Sequence, residues 1–306
     1  MRSTSSFVIK LISAYFYTAT SGDTMKKEII TALLVVSLVV VSIPTATLAL
    51  NLNPLHEKPI KFDATQVFAE IETQEVQPLA GSKWAVVIGI ADYQGTSSDL
   101  WHPDEDAKEM YTELTRQQGY PKNNVKLLTN RAATAAAIVS AINWLVSKEK
   151  TGDEVVFFYS GHGARVPEPN DWDADDEADK YDEMIVTYDF YGLPDGQLKG
   201  WFAPIESTRF ALMFGSCNSG GMFDDDDDLQ GTWRIITAAC KADQLGWDYL
   251  TLGNTLWGYY FVDQGLLKNK ATSIETAHSY AYPLVVAQQP DSQPQLYDNY
   301  PGDFPL

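Results

Sequence analysis

Residues 153–165 read DEVVFFYSGHGAR, and this stretch decides the fold. Residues 155–159 form an unbroken apolar run, rich in β-branched and aromatic side chains, which is typical of a strand buried on both faces of a parallel sheet. The run ends at two glycines that flank His162. Because glycine permits a sharp turn, the imidazole is predicted to project from the carboxyl end of the strand, the edge where open α/β sheets bind ligands.

A second stretch, residues 209–221 (RFALMFGSCNSGG), repeats the pattern of an apolar strand followed by small residues around one reactive side chain, Cys217. If the two strands are parallel neighbours, His162 and Cys217 meet at one edge of the sheet. A thiol needs a neighbouring base or imidazolium to act as a nucleophile near neutral pH. The two motifs together therefore indicate nucleophilic catalysis, whereas either motif alone would be better explained as a turn with a surface side chain.

The chain from residue 83 onward alternates apolar strands with amphipathic helices. Strands are predicted at 84–90, 125–128, 155–159, 184–188, 209–214 and 233–238, and helices at 104–118, 134–148, 255–267 and 273–286. This order predicts an α/β fold, with a mostly parallel sheet flanked by helices on both faces. The sequence contains no internal repeat, no phosphate-binding glycine-rich loop and no zinc-type spacing of cysteine and histidine.

The N-terminal region has the pattern of an export signal. Two lysines at 26–27 precede an apolar run at 29–43 and small residues at 47 and 49. This pattern predicts a secretory signal peptide within residues 1–49, with Met25 as an alternative true start. An uncleaved membrane anchor is the second interpretation, although the run is shorter than the about 20 residues of a membrane span.

Residues 50–82 contain three prolines and are predicted to be a linker or a pro-segment, followed by one folded domain at 83–306. The protein is therefore expected to be secreted or exported to the cell envelope. It is expected to meet a membrane only if the signal segment remains uncleaved.

The composition excludes some classes of function. Of the 306 residues, 45% are hydrophobic, which is enough to build a sizeable core. The net charge of −19 argues against nucleic-acid binding, since such proteins need basic surface to meet phosphates. A field of this sign suits cations or basic substrates.

The two cysteines, Cys217 and Cys240, allow a second interpretation. In an exported protein two cysteines often form a disulfide, and connectivity cannot be read from sequence. Against a disulfide, Cys240 follows a separate apolar strand. Of the four histidines, His162 alone lies in a constrained turn.

Residues 159–163 (YSGHG) together with 216–220 (SCNSG) resemble the paired signature of the caspase-fold cysteine peptidases. Within that fold they resemble most the metacaspases and their prokaryotic relatives of the orthocaspase type. The resemblance extends from about residue 83 to 298 and also includes the first strand, the start of the first helix, and Asp182 with Glu183. It implies that residues 83–306 form a caspase-like peptidase domain.

The resemblance also implies roles for individual residues. His162 is expected to be the general acid and base, and Cys217 the nucleophile that forms a thioester acyl-enzyme. The backbone N–H groups of Gly163 and Cys217 are expected to line the oxyanion hole. The family needs no aspartate or asparagine as a third member, so the expected machinery is a dyad.

The pocket for the residue before the scissile bond corresponds in this family to Asp106, Ser160 and Gly215. In metacaspases this pocket is acidic, which suits an arginine or lysine side chain. This chain has glycine where aspartate is usual at the last position. The resemblance therefore predicts cleavage after arginine or lysine with weaker selectivity than is usual for the family.

Calcium is the cofactor that the resemblance suggests, with Asp182, Asp195 and Asp224 as its ligands. Carboxylate oxygens are the ligands that this cation prefers. Gly196 stands where a second adjacent aspartate is expected, which would weaken the site. The acidic stretches can also be read as solvated charge runs, and the first of them lacks the glycine of an EF-hand loop.

The leading hypothesis is a cysteine endopeptidase whose partners are peptide or protein substrates. The alternative from another class is a catalytically inactive caspase-fold domain that binds peptides or partner proteins. A peptidase resembling legumain or gingipain, with a different specificity, is the second enzymatic alternative.

Overall fold

The computed structural model describes residues 81–167, 180–224, 228–268 and 271–306. The predicted signal peptide and nearly all of the predicted linker lie outside these ranges, as does most of the acidic loop before Asp182. All the described residues belong to one compact unit, Glu75–Leu306. Within the described ranges, no helix combines the length and the apolar character needed to cross a bilayer.

The strands of the described residues, in chain order, are β1 (Lys83–Gly89), β2 (Val125–Thr129), β3 (Glu154–Ser160), β4 (Gly163–Pro167), β5 (Tyr181–Val186), β6 (Gly192–Pro194), β7 (Phe210–Gly215), β8 (Arg234–Ala238) and β9 (Gln295–Asp298). Six of them form one sheet in the order β2-β1-β3-β7-β8-β9. Within this sheet only β8 and β9 run antiparallel. The structure confirms the predicted α/β class with a mostly parallel sheet.

The helices of the described residues are α1 (Pro103–Thr112), α2 (Ala135–Lys148), α3 (Asp195–Phe202), α4 (Leu256–Gly258) and α5 (Ile274–Gln288). Two of them continue as π-helices, α1 through Glu113–Gln117 and α4 through Tyr259–Lys268. The helices predicted at 104–118 and 255–267 are therefore present, but each changes from an α-helix to a π-helix along its length.

The two faces of the sheet carry separate hydrophobic cores. Successive side chains of a strand point to opposite faces, so Phe157 packs with α2 and α3 while Phe158 packs with α1, α4 and α5. The ring of Phe157 meets that of Phe202 in α3 at a centroid distance of 5.1 Å. Strands β3 and β7 are buried along their whole length. Burial on both faces explains why their sequences are unbroken apolar runs rather than alternating ones.

A second, smaller sheet follows His162 directly. Strands β4, β5 and β6 pair antiparallel, and β4 begins at Gly163. The strand predicted at 184–188 corresponds to β5, which begins earlier, at Tyr181, and ends at Val186. The prediction placed this strand without revealing that it belongs to a separate sheet.

The carboxylate of Asp106 joins three elements inside the protein. Asp106 lies in the first turn of α1 and has no exposed surface. It accepts hydrogen bonds from the hydroxyls of Ser160 in β3 and Thr255 before α4, both at 2.7 Å. The Asn254 side chain and the Thr255 backbone N–H donate to it at 3.1 and 3.2 Å. Burial raises the pKa of Asp106 to about 7, although these hydrogen bonds act in the opposite direction.

We expect Asp106 to make the free energy of unfolding decrease as the pH rises from about 4 to about 7. The folded state holds this proton more tightly than the unfolded chain, whose carboxyl has the ordinary pKa of 3.8. The stabilisation is therefore complete below that pKa and is lost as the pH rises through about 7. The Asp106→Asn variant cannot ionise here, so this part of its pH profile should be flatter.

Urea unfolding of the two proteins between about pH 4.5 and 7.5 measures this difference. The variant Asp291→Asn, which changes an exposed carboxylate, is the control and should keep the wild-type profile. Equal slopes for Asp106→Asn and the wild-type protein would contradict the effect of burial.

Candidate active site

His162 and Cys217 line one cavity at the carboxyl end of the large sheet. Strands β3 and β7 pair in parallel with Ser160 opposite Gly215, the last residue of each strand. His162 and Cys217 each follow two residues later, and both line the same cavity, whose volume is about 220 Å³. The register of two neighbouring strands thus brings together two residues that lie 55 positions apart in the sequence.

Two tyrosines hold the backbone of His162. Its N–H donates to the Tyr93 hydroxyl at 2.7 Å, and its carbonyl accepts from the Tyr159 hydroxyl at 2.6 Å. The Tyr93 ring also contacts the imidazole at a centroid distance of 4.7 Å. The imidazole itself is oriented by the carbonyl of Ser98, which lies 2.8 Å from Nε2.

The sequence did not predict the roles of Tyr93 and Ser98. The position of Tyr93 could have been predicted, because it follows β1, the strand that pairs in parallel with β3, and therefore lies near the same edge of the sheet. Ser98 had none, because it acts through a backbone carbonyl that every residue type carries.

Cys217 begins a tight turn whose next residue has a left-handed backbone. Asn218 has φ 57°, a conformation in which asparagine is enriched among the non-glycine residues. Its side-chain amide donates to the Ala242 carbonyl at 2.6 Å, and its N–H to the Gln244 carbonyl at 2.9 Å. The segment after β8 therefore holds the turn that presents the thiol.

The thiol of Cys217 lies in a partly buried position beside the backbone of Gly246. It donates to the Gly246 carbonyl at 3.6 Å, and burial raises its pKa. Hydrogen bonds with the backbone of Gly246 and Cys217 act in the opposite direction on this pKa, but burial has the larger effect. Cys217 therefore needs a base to become a nucleophile.

Gly163 allows the two catalytic turns to touch. A Cβ atom at this position would lie 2.0 Å from the Cys217 carbonyl oxygen and 2.8 Å from the Ser216 hydroxyl. No side chain fits in that space, so only glycine lets the backbone after His162 approach the backbone of Cys217. The two residues predicted to form the oxyanion hole are thereby neighbours.

The predicted substrate residues are not all at the cavity surface. Gly215 lines the cavity, whereas Asp106 and Ser160 have no exposed surface. The Ser160 hydroxyl donates to Asp106 rather than facing the cavity. Thr255, which donates to Asp106, lines the cavity, and the assignment of Asp106 to the substrate pocket stays a prediction.

Most of the remaining cavity lining is apolar. The apolar side chains that line it are Leu100, Trp101, Pro103, Ala239, Trp247 and Trp257. Two carboxylates also line it, those of Asp99 and Asp248. Asp248 accepts from the Trp101 N–H at 2.5 Å, and the His102 imidazole lies 3.1 Å from its second oxygen.

The three predicted calcium ligands lie around one end of the small sheet. Asp182 lies in β5, Asp195 begins α3 directly after β6, and Asp224 follows the short turn after the cysteine loop. The first two are buried and Asp224 is exposed. In the described part of the chain, no three metal-binding side chains are placed to share an ion.

Both cysteines are free thiols in the structure. Cys240 is buried, and its Sγ lies 3.3 Å from the Gln244 carbonyl and 3.4 Å from the Ser216 carbonyl. The alternative of a disulfide between Cys217 and Cys240 is therefore not the state described.

Comparison with known proteins shows a similarity that covers about half of the chain. Residues 83–226 match the family described as metacaspase, peptidase C14 domain. Metacaspase-1A of Aspergillus oryzae is 35% identical over 155 residues, which cover 47% of this chain and 36% of that protein. Metacaspase-1 of Meyerozyma guilliermondii is 30% identical over 184 residues, covering 56% of this chain and 42% of that protein. The chain thus spans about two fifths of the length of these curated relatives.

A solved structure has the same fold. The crystal structure of protein GSU0716 from Geobacter sulfurreducens superimposes with a TM-score of 0.56 at 18% sequence identity, covering 74% of this chain and 97% of that one. At this identity the likeness speaks for the fold alone. The structure thus has a fold similar to that of this protein, and residues 83–226 are similar to the peptidase domain of metacaspases.

Proposed function

We propose that this protein is a cysteine endopeptidase that hydrolyses peptide bonds through Cys217 and His162. The observation that carries the proposal is the in-register pairing of β3 with β7, which places both side chains on one cavity. The family match over residues 83–226 supports the same reaction class. Because the chain spans only part of its relatives, the activity of the whole protein is inferred rather than transferred.

The mechanism follows from the resting state of the two groups. With Nε2 donating to the Ser98 carbonyl, Nδ1 of a neutral His162 carries the lone pair and accepts the thiol proton. The sulfur then attacks the carbonyl carbon, and the C=O π electrons move to the oxygen. We propose that the N–H groups of Gly163 and Cys217 stabilise this oxyanion.

The intermediate collapses when the electrons on oxygen re-form the carbonyl and the C–N bond breaks. The leaving amine takes the proton from His162, and a thioester remains on Cys217. Water, deprotonated by His162, attacks that thioester, and the thiolate leaves and recovers the proton. His162 therefore serves as base and acid in both halves of the reaction.

Two alternatives stay open. An inactive caspase-fold domain would bind a peptide without needing a thiol and an imidazole on the same cavity. A peptidase resembling legumain or gingipain would use the same dyad with another pocket. Hydrolysis separates the first alternative from the proposal, and substrate profiling separates the second.

Cys217→Ala and His162→Ala are each expected to lower peptide hydrolysis by roughly a thousandfold or more, because the nucleophile and its base act as one unit. For the same reason the double variant should be about as inactive as either single variant. The measurement is the initial rate on a mixed fluorogenic peptide library, with unfolding curves to show that each variant is folded.

Cys240→Ala is the matched control, since it removes the second thiol from a buried site outside the cavity lining. It should keep most of the activity. A Cys217→Ala protein that still cuts peptides at a rate near that of the wild-type protein would remove the assignment of the nucleophile.

Cleavage after arginine or lysine stays a prediction of the sequence resemblance. Asp99 and Asp248 line the cavity, and their negative charge supports this prediction. The burial of Asp106 weakens the structural argument for cleavage after arginine or lysine, because a buried carboxylate does not face the cavity. The preference of this pocket is therefore a separate question from the reaction class.

We also propose calcium as a cofactor, with Asp182, Asp195 and Asp224 as its ligands, of which the first two are buried and Asp224 is exposed. Like charges brought together are stabilised by a cation. The described residues alone do not form a complete ligand set. No catalytic step is therefore assigned to the ion.

Calcium at about 0.1–5 mM is expected to raise both the rate of peptide hydrolysis and the melting temperature. Asp224→Asn should weaken both responses, whereas Asp291→Asn, an exposed carboxylate in a distant part of the sequence, should not. Equal rates and equal melting temperatures in calcium and in excess chelator would exclude the calcium proposal.

We propose further that the protein is exported, on the sequence pattern of residues 26–49. N-terminal sequencing of the protein isolated from its host is expected to give a mature chain that starts near Leu50. A chain that keeps Met25 and fractionates with membranes would instead favour the uncleaved anchor.

A further inference from the structure

The cavity beside Cys217 has a rigid aromatic wall. Trp257 lines it and is only 2% exposed. Its indole stacks on Phe261 at a centroid distance of 4.6 Å and lies 6.2 Å from the ring of Phe158. These contacts tie Trp257 to the core on one face of the sheet, so it cannot easily move aside for a substrate.

Gly215 makes room for this wall. A Cβ atom at position 215 would lie 3.2 Å from the Trp257 ring and 3.1 Å from the Ser160 hydroxyl. Both distances are tighter than ordinary contacts, so a larger residue would have to displace the indole or the hydroxyl. Because position 215 is glycine rather than aspartate, it contributes no carboxylate to the pocket. The missing Cβ atom also allows Trp257 to pack closely there.

The exposed mouth of the cavity continues the apolar surface. Trp101 is 57% exposed and Trp247 is 38% exposed, and both line the cavity. Leu100 and Pro103 complete the apolar lining on the same side as Trp101. A side chain that enters would be surrounded by three indole rings and aliphatic groups.

The carboxylates near the cavity are poor anchors for a basic side chain. Asp106 is buried and held by hydrogen bonds from Ser160, Asn254 and Thr255. A cation would have to break that network to reach it. Asp248 is already engaged by the Trp101 N–H and the His102 imidazole. Asp99 is exposed, where solvent weakens its attraction for a cation.

We propose that this cavity accepts a large apolar side chain, such as leucine, methionine or phenylalanine, from the residue that carries the attacked carbonyl group. Gly215 and Ser216 line the cavity and directly precede Cys217, so a residue attached to the Cys217 sulfur has its side chain beside this space. The volume of about 220 Å³ suits one side chain. The inference rests on the proposed peptidase function and gives its substrate class.

The test uses the full exported chain and tetrapeptides of the form acetyl-Ala-Ala-Ala-X-aminocoumarin, in which X is leucine, methionine, phenylalanine, glutamine, arginine, lysine or aspartate. We expect kcat/KM for the best apolar residue to exceed that for arginine and lysine by about tenfold or more. Trp247→Ala should lower the apolar values by about fivefold and change the others little.

Trp233→Ala is the matched control, because Trp233 is 45% exposed and lies outside the cavity lining. It should leave the ranking of residues unchanged. Asp99→Asn should also leave the ranking unchanged. Gly215→Ala, which crowds Trp257, should lower kcat/KM for phenylalanine at X more than for leucine.

A second readout does not need turnover. Tetrapeptide aldehydes that end in leucine, phenylalanine or arginine are tested for protection of Cys217 against iodoacetamide, followed by mass spectrometry. Better protection by the apolar aldehydes supports the inference. Better cleavage or protection with arginine or lysine overturns it and leaves the peptidase function standing. Absence of both cleavage and protection overturns the peptidase function and the inference together.

Discussion

The site depends on the register between β3 and β7. Ser160 pairs with Gly215 at the carboxyl ends of the two strands, and a slip by one residue would turn every side chain of one strand to the opposite face. A buried carboxylate fixes the register at the other end. Glu154 begins β3 with 1% exposure, and it pairs with Lys83 at 2.9 Å and with Arg209, which precedes β7. An ion pair at one end of the sheet therefore helps to place a thiol and an imidazole at the other, about six residues along the strands.

At the carboxyl edge of the sheet, the side chains of His162 and Cys217 are held mainly by contacts with backbone groups. The Ser98 carbonyl orients the imidazole of His162, and the Gly246 carbonyl accepts from the thiol of Cys217. Backbone groups in tight turns have few alternative positions, so they preorganise the dyad without a third acidic side chain.

The sequence revealed the parts of the structure whose signal is local. The buried runs at 155–159 and 209–214 could be read as neighbouring parallel strands because strands of that kind are apolar throughout. The small antiparallel sheet was missed because two of its strands gave no clear signal: β4 is only partly buried and β6 has three residues. The burial of Asp106 was out of reach for a different reason: its partners Asn254 and Thr255 lie nearly 150 residues away in the chain. Contacts of such long range depend on packing that no local pattern encodes.

The Asp106 carboxylate connects α1 with β3 and with the start of α4. Burial raises its pKa to about 7, so near neutral pH it is only partly ionised and would be a weak partner for a guanidinium. The same burial suits a structural role, because either protonation state can take part in hydrogen bonds with the hydroxyls of Ser160 and Thr255. Through Thr255 it holds the start of α4, and α4 carries Trp257 into the cavity wall. With glycine at position 215 no second carboxylate competes for that space. In the apolar pocket that we propose, Asp106 would support the wall from behind through Thr255.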